Sequence, residues 1–269
     1  MVVLITGASS GLGCYTAQAF RKNGHIVYGT SRNVSSVKEN MQGINFIELD
    51  VCSDASCEKA VKKVIEKEGR IDILVNNAGM GIAGALEMTS VEEAKVQFET
   101  NFFGILRMCK MVLPYMRKEK RGMIINVSSV AAVVPIPFQS MYSAGKAAVE
   151  SISHALAMET KEYGIRVSAI EFGDMKTEFT KNRRITEESV TDEKSGIYDK
   201  TFKKSLKTME NDERNGPVPE KAAKLILKTA MKKNPKPIIV CGGKYKAIVM
   251  MRRLLPMRIS NYIIGKIYA

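Results

Sequence analysis

The chain has 269 residues, 45% of them hydrophobic, and a formal net charge of +13. This length suffices for one large buried core, so we expect a single domain spanning residues 1–269. The chain contains no run of about 18 apolar residues, and no basic segment typical of a secretory signal precedes its first apolar run. Five scattered cysteines without a C-x-x-C pair fit a reducing compartment. We therefore expect a cytoplasmic protein without a transmembrane helix.

Short apolar runs alternate along the chain with stretches of helical length. The runs begin near residues 2, 25, 44, 71, 123, 166 and 237 and read VVLIT, HIVYGT, INFIEL, IDILV, MIINV, RVSAI and PIIV. Each is short enough for a strand that is buried on both faces. Strands that alternate with helices favour an α/β fold, a doubly wound, seven-stranded parallel sheet flanked by helices.

A glycine-rich turn, TGASSGLG, follows the first predicted strand and opens the first predicted helix. Its glycines allow a tight turn and a close approach of the backbone to a pyrophosphate at the helix N-terminus. The residues that would contact a nucleotide are Gly7, Ser9, Ser10, Gly11, Leu12 and Gly13. The same residues also satisfy G-x-S-x-G, the nucleophile elbow of hydrolases. That alternative needs a catalytic histidine, and the only two, His25 and His154, lie in a predicted strand and a predicted helix.

Four further motifs follow in chain order, and with the glycine-rich turn they carry a family resemblance. They are NNAG from residue 76, NFFG from residue 101, INVSS ending at Ser129 and YSAGK from residue 142. In order and spacing the five motifs resemble those of the short-chain dehydrogenase/reductase family over nearly the full chain. The resemblance implies a Rossmann-type domain, a nicotinamide dinucleotide cofactor and four catalytic residues, which are Asn101, Ser129, Tyr142 and Lys146. No metal site is predicted.

The pair Tyr142 and Lys146 has a chemical rationale. Four residues apart on a helix, the two side chains lie on one face. A free phenol titrates near 10, and a positive charge about 5 Å away would stabilise the phenolate by roughly 3 kcal/mol, which lowers its pKa by about two. We therefore expect Lys146 to activate Tyr142 as a general acid and base. The family resemblance adds a contact of Lys146 with the nicotinamide ribose and of Ser129 with the substrate oxygen.

The resemblance also implies further cofactor contacts. They come from Asp50 and Val51 after the third strand, from Asn77, Ala78 and Gly79 after the fourth, and from Gly173 and Thr177 after the sixth. One position departs from the family pattern, because Phe172 stands where a proline usually precedes Gly173. Phe172 either reshapes the nicotinamide pocket or is a core residue at a strand end.

The end of the second strand predicts which nicotinamide cofactor is used. In this fold an acidic residue there binds the ribose 2′-hydroxyl of NAD, whereas an arginine suits the 2′-phosphate of NADP. The chain has Ser31 followed by Arg32. An arginine fork matches phosphate geometry, so we expect NADP(H).

The sequence defines the substrate less closely than it defines the cofactor. The stretch between Ser129 and Tyr142 is apolar, which suits a hydrophobic alcohol or ketone. The resemblance is strongest to hydroxysteroid and retinol dehydrogenases, so a steroid or bile acid is the first hypothesis. A 3-oxoacyl thioester or general carbonyl reductase and an inactive nucleotide-sensing protein are the alternatives. The polar, irregular stretch 174–216 is predicted to form a substrate loop or lid.

The positive charge is concentrated at the C-terminal end. Residues 221–269 contain twelve basic residues and no acidic ones, and residues 242–269 form a basic extension with interleaved apolar residues. No nucleic-acid-binding motif accompanies this charge. We expect the extension to cover the core or to join subunits of a homodimer or homotetramer. Contact with a membrane surface is an alternative that the sequence does not favour.

Overall fold

The fold is built on a seven-stranded parallel sheet. A computed structural model describes residues 1–35, 37, 41–191 and 195–268. Its strands are β1 (Val2–Ile5), β2 (Ile26–Ser31), β3 (Asn45–Glu48), β4 (Ile73–Asn76), β6 (Gly122–Ser129), β7 (Ile165–Phe172) and β9 (Ile238–Val240). Two further short strands, β5 (Ile82–Ala83) and β8 (Arg184–Ile185), pair with each other outside this sheet. Across the sheet the strands follow the order β3-β2-β1-β4-β6-β7-β9. All seven predicted strands and their parallel arrangement are confirmed.

Helices cover both faces of the sheet because its central strands are apolar on both sides. The helices are α1 (Gly11–Lys22), α2 (Asp54–Glu68), α3 (Val91–Phe98), α4 (Gly104–Lys118), α5 (Ser140–Glu159), α6 (Glu188–Thr191), α7 (Ser195–Arg214), α8 (Glu220–Ala230), α9 (Gly243–Leu254) and α10 (Met257–Tyr268). Residues of α2, α4 and α5 share one buried cluster with the sheet, and residues of α1 and α8 share the other. The strand order reverses between β1 and β4, which opens a crevice at their carboxyl ends.

The predicted lid, 174–216, is mostly helical rather than irregular. It contains β8, α6 and the 20-residue helix α7, and its residues 192–194 lie outside the described residues. Phe202, Ser205 and Met209 are buried at helical spacing, and the Phe202 ring lies 5.4 Å from the ring of Phe138, centroid to centroid. The many lysines of α7 obscure this apolar stripe in the sequence. Whether the segment acts as a lid stays a prediction.

The C-terminal extension forms the helices α9 and α10, apart from residue 269, which lies outside the described residues. Within the two helices only Val249 and Ser260 are buried, and the other side chains are half-buried or exposed. Whether the extension covers the core or joins subunits stays a prediction. Many of its large apolar side chains are exposed, and α10 packs against α7. In the described part of the chain, no helix combines the length and apolar character that crossing a bilayer requires.

A buried ladder of polar side chains holds α5 against the sheet. The Asn76 side-chain amide of β4 donates to Asn126 Oδ1 of β6 at 2.9 Å. Asn126 in turn donates to Ser153 Oγ of α5 at 2.8 Å, and Ser153 donates to the Val149 carbonyl at 2.6 Å. Removing the central amide takes one hydrogen bond from a buried partner on each side. The ladder therefore sets the position of the helix that carries Tyr142 and Lys146.

We predict that Asn126→Ala lowers the free energy of unfolding by about 2–4 kcal/mol, because it removes two buried side-chain hydrogen bonds and leaves a small cavity. Urea denaturation measures this loss. As a control, Asn23→Ala removes an exposed amide that bonds only the Ala19 carbonyl and should change stability by less than about 0.5 kcal/mol. Equal effects of the two substitutions would contradict the ladder's role.

Candidate active site

One cavity of about 1110 Å³ runs along the carboxyl ends of the central strands. It extends from Arg32 beside β2, past Tyr142 and Lys146 on α5, to Tyr268 at the end of α10. Every residue that the sequence predicts for the site lines this cavity, with the exception of Gly13. Residues spread over the whole chain therefore meet at the topological switch point of the sheet.

The glycine-rich turn after β1 is joined to the loop after β4. Gly7 and Gly11 adopt positive φ angles of 64° and 52°, which a side chain would disfavour. The Asn77 side-chain amide donates to the carbonyls of Thr6 and Gly7, both at 3.0 Å. In return, Thr6 Oγ1 accepts hydrogen bonds from the backbone amides of Asn77 and Ala78. The two loops thus form one rigid floor at the start of the cavity.

Gly13 has a packing role and does not line the cavity. A Cβ atom at this position would lie 2.3 Å from the Gly7 carbonyl oxygen and 2.5 Å from Asn77 Nδ2. Only a glycine therefore lets α1 approach the two joined loops. The predicted contact of Gly13 with the cofactor stays a prediction, and the structure shows this packing role beside it.

The start of α1 suits a phosphate group. Ser10 is the N-cap residue, yet its side chain makes no capping hydrogen bond. The free amides of the first turn and the positive end of the helix dipole face the cavity floor, where Ser9, Ser10 and Leu12 line the wall. These residues fit the pyrophosphate of a dinucleotide.

The residues predicted for the adenosine end also lie together. Arg32 is exposed and lines the cavity next to Ser31, whose hydroxyl donates to the Asn33 carbonyl at 2.9 Å. Across the cavity Asp50 and Val51 complete the wall, and Asp50 Oδ1 accepts from the backbone amide of Cys52 at 3.0 Å. A guanidinium free to move at the cavity rim fits a phosphate on the adenosine ribose.

Asn101 lies in a local widening of the helix that leads into α4. Residues Glu99–Phe103 form a π-helical turn, a feature common at functional sites. The Asn101 side chain is fully buried and bonds both backbone groups of Met80, each at 2.8 Å. A Cβ atom on Gly79 would lie 3.1 Å from Asn101 Oδ1. Asn101 therefore holds the loop after β4 beside the catalytic groups.

Tyr142 and Lys146 lie one turn apart on α5, as the sequence predicts. The Lys146 ammonium lies 5.8 Å from the centroid of the Tyr142 ring and donates to the Val127 carbonyl at 2.8 Å. Ser129, the last residue of β6, hydrogen-bonds the phenol of Tyr142. Strand β6 and helix α5 thus bring three of the four predicted catalytic side chains together.

The protonation states differ from the sequence-based expectation. Burial raises the pKa of Tyr142 to about 12, against a smaller lowering effect of the Ser129 hydrogen bond. Burial also lowers the pKa of Lys146 to about 8. The expected lowering of the phenol pKa by Lys146 is therefore outweighed by desolvation. At neutral pH Tyr142 is protonated, which suits a group that gives a proton to a carbonyl oxygen.

The loop after β7 closes the nicotinamide end of the cavity. Phe172 is buried in the core and also borders the cavity. At Gly173 a Cβ atom would lie 2.1 Å from the Tyr245 ring, so the close approach of α9 requires glycine here. Thr177 lies against Gly11, 3.6 Å from the position of a Cβ atom there. This places Thr177 over the glycine-rich turn, consistent with its predicted position at the cofactor.

The sequence does not predict the acidic residues of this cavity. Asp174, Asp212 and Glu213 all line it, and burial and the charges of Glu213 and Asp174 raise the pKa of Tyr142. Glu213 forms a buried ion pair with Arg183, whose charge lowers that pKa. These residues lie 28 or more positions after Lys146, and no local pattern marks them.

Two tyrosines of the C-terminal helices bind the other carboxylates. Tyr245 of α9 donates to Asp174 Oδ2 at 2.7 Å, and Tyr268 of α10 donates to Asp212 Oδ2 at 3.2 Å. A phenol is neutral, so neither bond compensates the negative charge of its carboxylate. The cavity that holds Tyr142 therefore also contains three carboxylates, within a protein whose net charge is +13.

Comparisons with known proteins agree with this geometry. A family model described as short chain dehydrogenase matches residues 1–188. The chain is 49% identical over 234 residues to "3-ketodihydrosphingosine reductase" of Bacteroides thetaiotaomicron, covering 87% of this chain and 85% of that protein.

Solved structures of related enzymes share the fold. A short-chain dehydrogenase from Streptomyces avermitilis has a TM-score of 0.82 at 30% identity, covering 93% of this chain and 91% of that one. ElxO with NADP bound has a TM-score of 0.73 at 28% identity, covering 91% and 98%. A 3-ketoacyl-(acyl-carrier-protein) reductase from Brucella melitensis complexed with NADH has a TM-score of 0.75 at 26% identity, covering 91% and 98%.

We predict that Tyr142→Phe lowers turnover at least about a hundredfold, because it removes the proton donor, while cofactor affinity changes little. Turnover is measured by oxidation of the reduced cofactor, and affinity by cofactor fluorescence. Tyr15→Phe removes a hydroxyl from an exposed tyrosine outside the cavity and serves as the control. Turnover of the Tyr142→Phe variant close to that of the control would show that Tyr142 is not the proton donor.

Proposed function

The chain belongs to the short-chain dehydrogenase family, and from this premise we propose that it reduces the ketone of a long-chain aminoketone with NADPH. The substrate class is that of 3-ketodihydrosphingosine, in which a protonated amine sits beside the carbonyl and an alkyl chain extends from it. The observation that carries this proposal is that Asp174 and Asp212 line the same cavity as Tyr142 and the apolar side chains of α9 and α10. The 49% identity to a reductase of this name supports it.

The catalytic step follows from the side chains in place. When bound, the reduced nicotinamide supplies a hydride to the carbonyl carbon. Tyr142, protonated at neutral pH, donates its phenolic proton to the carbonyl oxygen, and the product is a secondary alcohol. Ser129 donates a hydrogen bond to the same oxygen and orients it. Lys146 in its charged form would return a proton to the phenolate and would itself be reprotonated from solvent, and Asn101 keeps the loop after β4 in position.

The carboxylates favour an aminoketone over the other substrate classes. An ammonium group beside the carbonyl gains a charge-assisted hydrogen bond from Asp174 or Asp212. A hydroxysteroid, the first hypothesis from the sequence, has no cation to offer these groups. A 3-oxoacyl thioester carries phosphates in its carrier and would be repelled. The convergence of all four catalytic residues on one cavity supports an enzyme over an inactive nucleotide sensor.

The far end of the cavity suits an alkyl chain. Apolar side chains of the two C-terminal helices line it, namely Ile248, Met251, Ile263, Ile264 and Ile267. Burying a methylene group there contributes about 0.8 kcal/mol. An amphiphile with a cationic head therefore matches both the carboxylates and the apolar side chains of the cavity.

The preference for NADPH rests on Arg32. Its guanidinium is at the cavity rim beside Ser31, and no carboxylate occupies the strand-end position that would favour NAD. A charge-assisted contact with the 2′-phosphate contributes about 1.5–3 kcal/mol. The family as a whole uses either cofactor, as the NADP-bound and NADH-bound relatives illustrate.

We predict that kcat/KM with NADPH exceeds that with NADH at least about tenfold, and that Arg32→Ala erases most of this preference by weakening NADPH alone. Steady-state kinetics with both cofactors measure the effect. Arg21→Ala removes an exposed arginine outside the cavity and should leave the preference unchanged. Equal losses with both cofactors, or a wild-type preference for NADH, would overturn the assignment.

We predict that Asp212→Asn raises KM for a short-chain 2-amino ketone about 10- to 100-fold, because it removes a charge-assisted contact. KM for the ketone of the same length without the amine should change less than twofold. Asp199→Asn, on the same helix but outside the cavity, is the matched control.

The choice of substrates decides between the candidate functions. Wild-type protein that reduces ketosteroids and not the aminoketone would support the hydroxysteroid hypothesis instead. Parallel losses of Asp212→Asn with both ketones would mean that Asp212 has only a structural role.

A further inference from the structure

The C-terminal helices expose an unusual number of large apolar side chains. We call this group the C-terminal apolar surface. Its members are between 45% and 75% exposed, and they are Met250, Met251, Leu254, Met257, Ile259, Tyr262, Ile263 and Ile267. Isolated exposed apolar residues are common, but such a group within 18 consecutive positions marks an interaction surface.

Basic side chains lie on the same two helices as this surface, with Arg252 half-buried and the others exposed. The segment 243–268 contains Lys244, Lys246, Arg252, Arg253, Arg258 and Lys266, and it has no acidic residue. Lys266 lies 5.4 Å from the centroid of the Tyr262 ring, so cation and aromatic ring share one patch. Exposed apolar side chains interleaved with lysine and arginine are typical of helices that lie in the interface of an anionic bilayer.

The surface is continuous with the proposed substrate cavity. Met251, Ile263 and Ile267 line the cavity and are also about half exposed. These three side chains therefore form the apolar rim of the opening between α9 and α10. The other members of the surface, including Leu254 and Met257, lie outside the cavity.

We propose that the C-terminal apolar surface docks on an anionic lipid membrane and that lipid-like substrates enter the cavity from the bilayer between α9 and α10. Docking itself needs only the surface and its charges. Substrate entry rests in addition on the proposed function. The sequence-based preference for a subunit contact over a membrane contact is thereby reversed.

Charge decides between the possible occupants. In a two-fold dimer through this surface, the same basic patch of each copy would face the other, and like charges would repel. A nucleic acid would satisfy the charges but leave the methionines and isoleucines in water. An anionic bilayer offers phosphate groups to the lysines and arginines and an acyl region to the apolar side chains, so it satisfies both features.

Docking also has a direct connection to the active site. The hydroxyl of Tyr245 on α9 bonds Asp174, and that of Tyr268 on α10 bonds Asp212. The two membrane-facing helices are thus attached to the carboxylates proposed to receive the substrate amine. A chain that enters between the helices would meet these carboxylates in the cavity that holds Tyr142.

Vesicle co-sedimentation of the full chain tests the docking surface. We expect the protein to pellet with vesicles of phosphatidylcholine and phosphatidylglycerol at least about tenfold more than with pure phosphatidylcholine, and 0.5 M salt to release most of it. Leu254→Gln/Met257→Gln should reduce pelleting at least about fivefold. The control variant is Met158→Gln/Val91→Gln, on other helices. Met158 and Val91 are 74% and 63% exposed, which matches the 75% and 63% of Leu254 and Met257.

An activity assay separates docking from catalysis. Leu254→Gln/Met257→Gln should reduce a short, water-soluble aminoketone at the wild-type rate, because neither residue lines the cavity. With the long-chain aminoketone embedded in anionic vesicles, the rate of this variant should fall at least about fivefold below the wild-type rate. Wild-type protein that binds anionic vesicles but reduces neither ketone would refute the proposed function and leave the docking surface intact.

Three results would overturn the docking surface. Wild-type protein that stays in the supernatant with anionic vesicles would refute it, as would an equal loss of pelleting in the control variant. The third result would come from sedimentation velocity, which measures whether the protein is a dimer. A stable dimer that Leu254→Gln/Met257→Gln dissociates would identify the surface as a contact between two copies of the chain.

Discussion

The hydrogen bonds between the loops after β1 and β4 are the contact on which the site depends. Asn77 bonds the carbonyls of Thr6 and Gly7, and Thr6 accepts two amides in return. These bonds join the two sides of the topological switch point, where the strand order reverses. Gly13 packs directly against these two loops, and this contact fixes the start of α1 relative to them. The cofactor floor and the cavity beyond it are built from this junction.

Electrostatics divide the molecule into two regions of opposite sign. The surface of the C-terminal helices is basic, whereas the cavity that they border contains Asp174, Asp212 and Glu213. In the proposals made above, the basic exterior would attract anionic headgroups, and the carboxylates of the cavity would attract the cationic head of the substrate. Neither feature follows from the family fold alone, because both arise from the region after β7.

The protonation state of Tyr142 illustrates the limit of reasoning from spacing. The four-residue interval correctly places Lys146 one helical turn away. Spacing does not report burial, and in the folded chain burial raises the pKa of the phenol to about 12. Glu213 adds to this effect from a helix about seventy positions later in the chain. A local motif can therefore identify the catalytic groups without determining their pKa values.

The sequence by itself determined the seven strands and the glycine-rich turn, and it predicted the four residues that meet in the cavity, because each depends on local patterns of apolar residues, glycine and motif spacing. Phe172 and Gly13 received their structural roles only from packing, and the helical α7 was concealed by its lysines. Only the tertiary structure decided that α9 and α10 border the cavity and that carboxylates converge beside Tyr142. The physical reason is that these contacts join residues far apart in the chain, and side-chain burial and charge proximity exist only once the chain has folded.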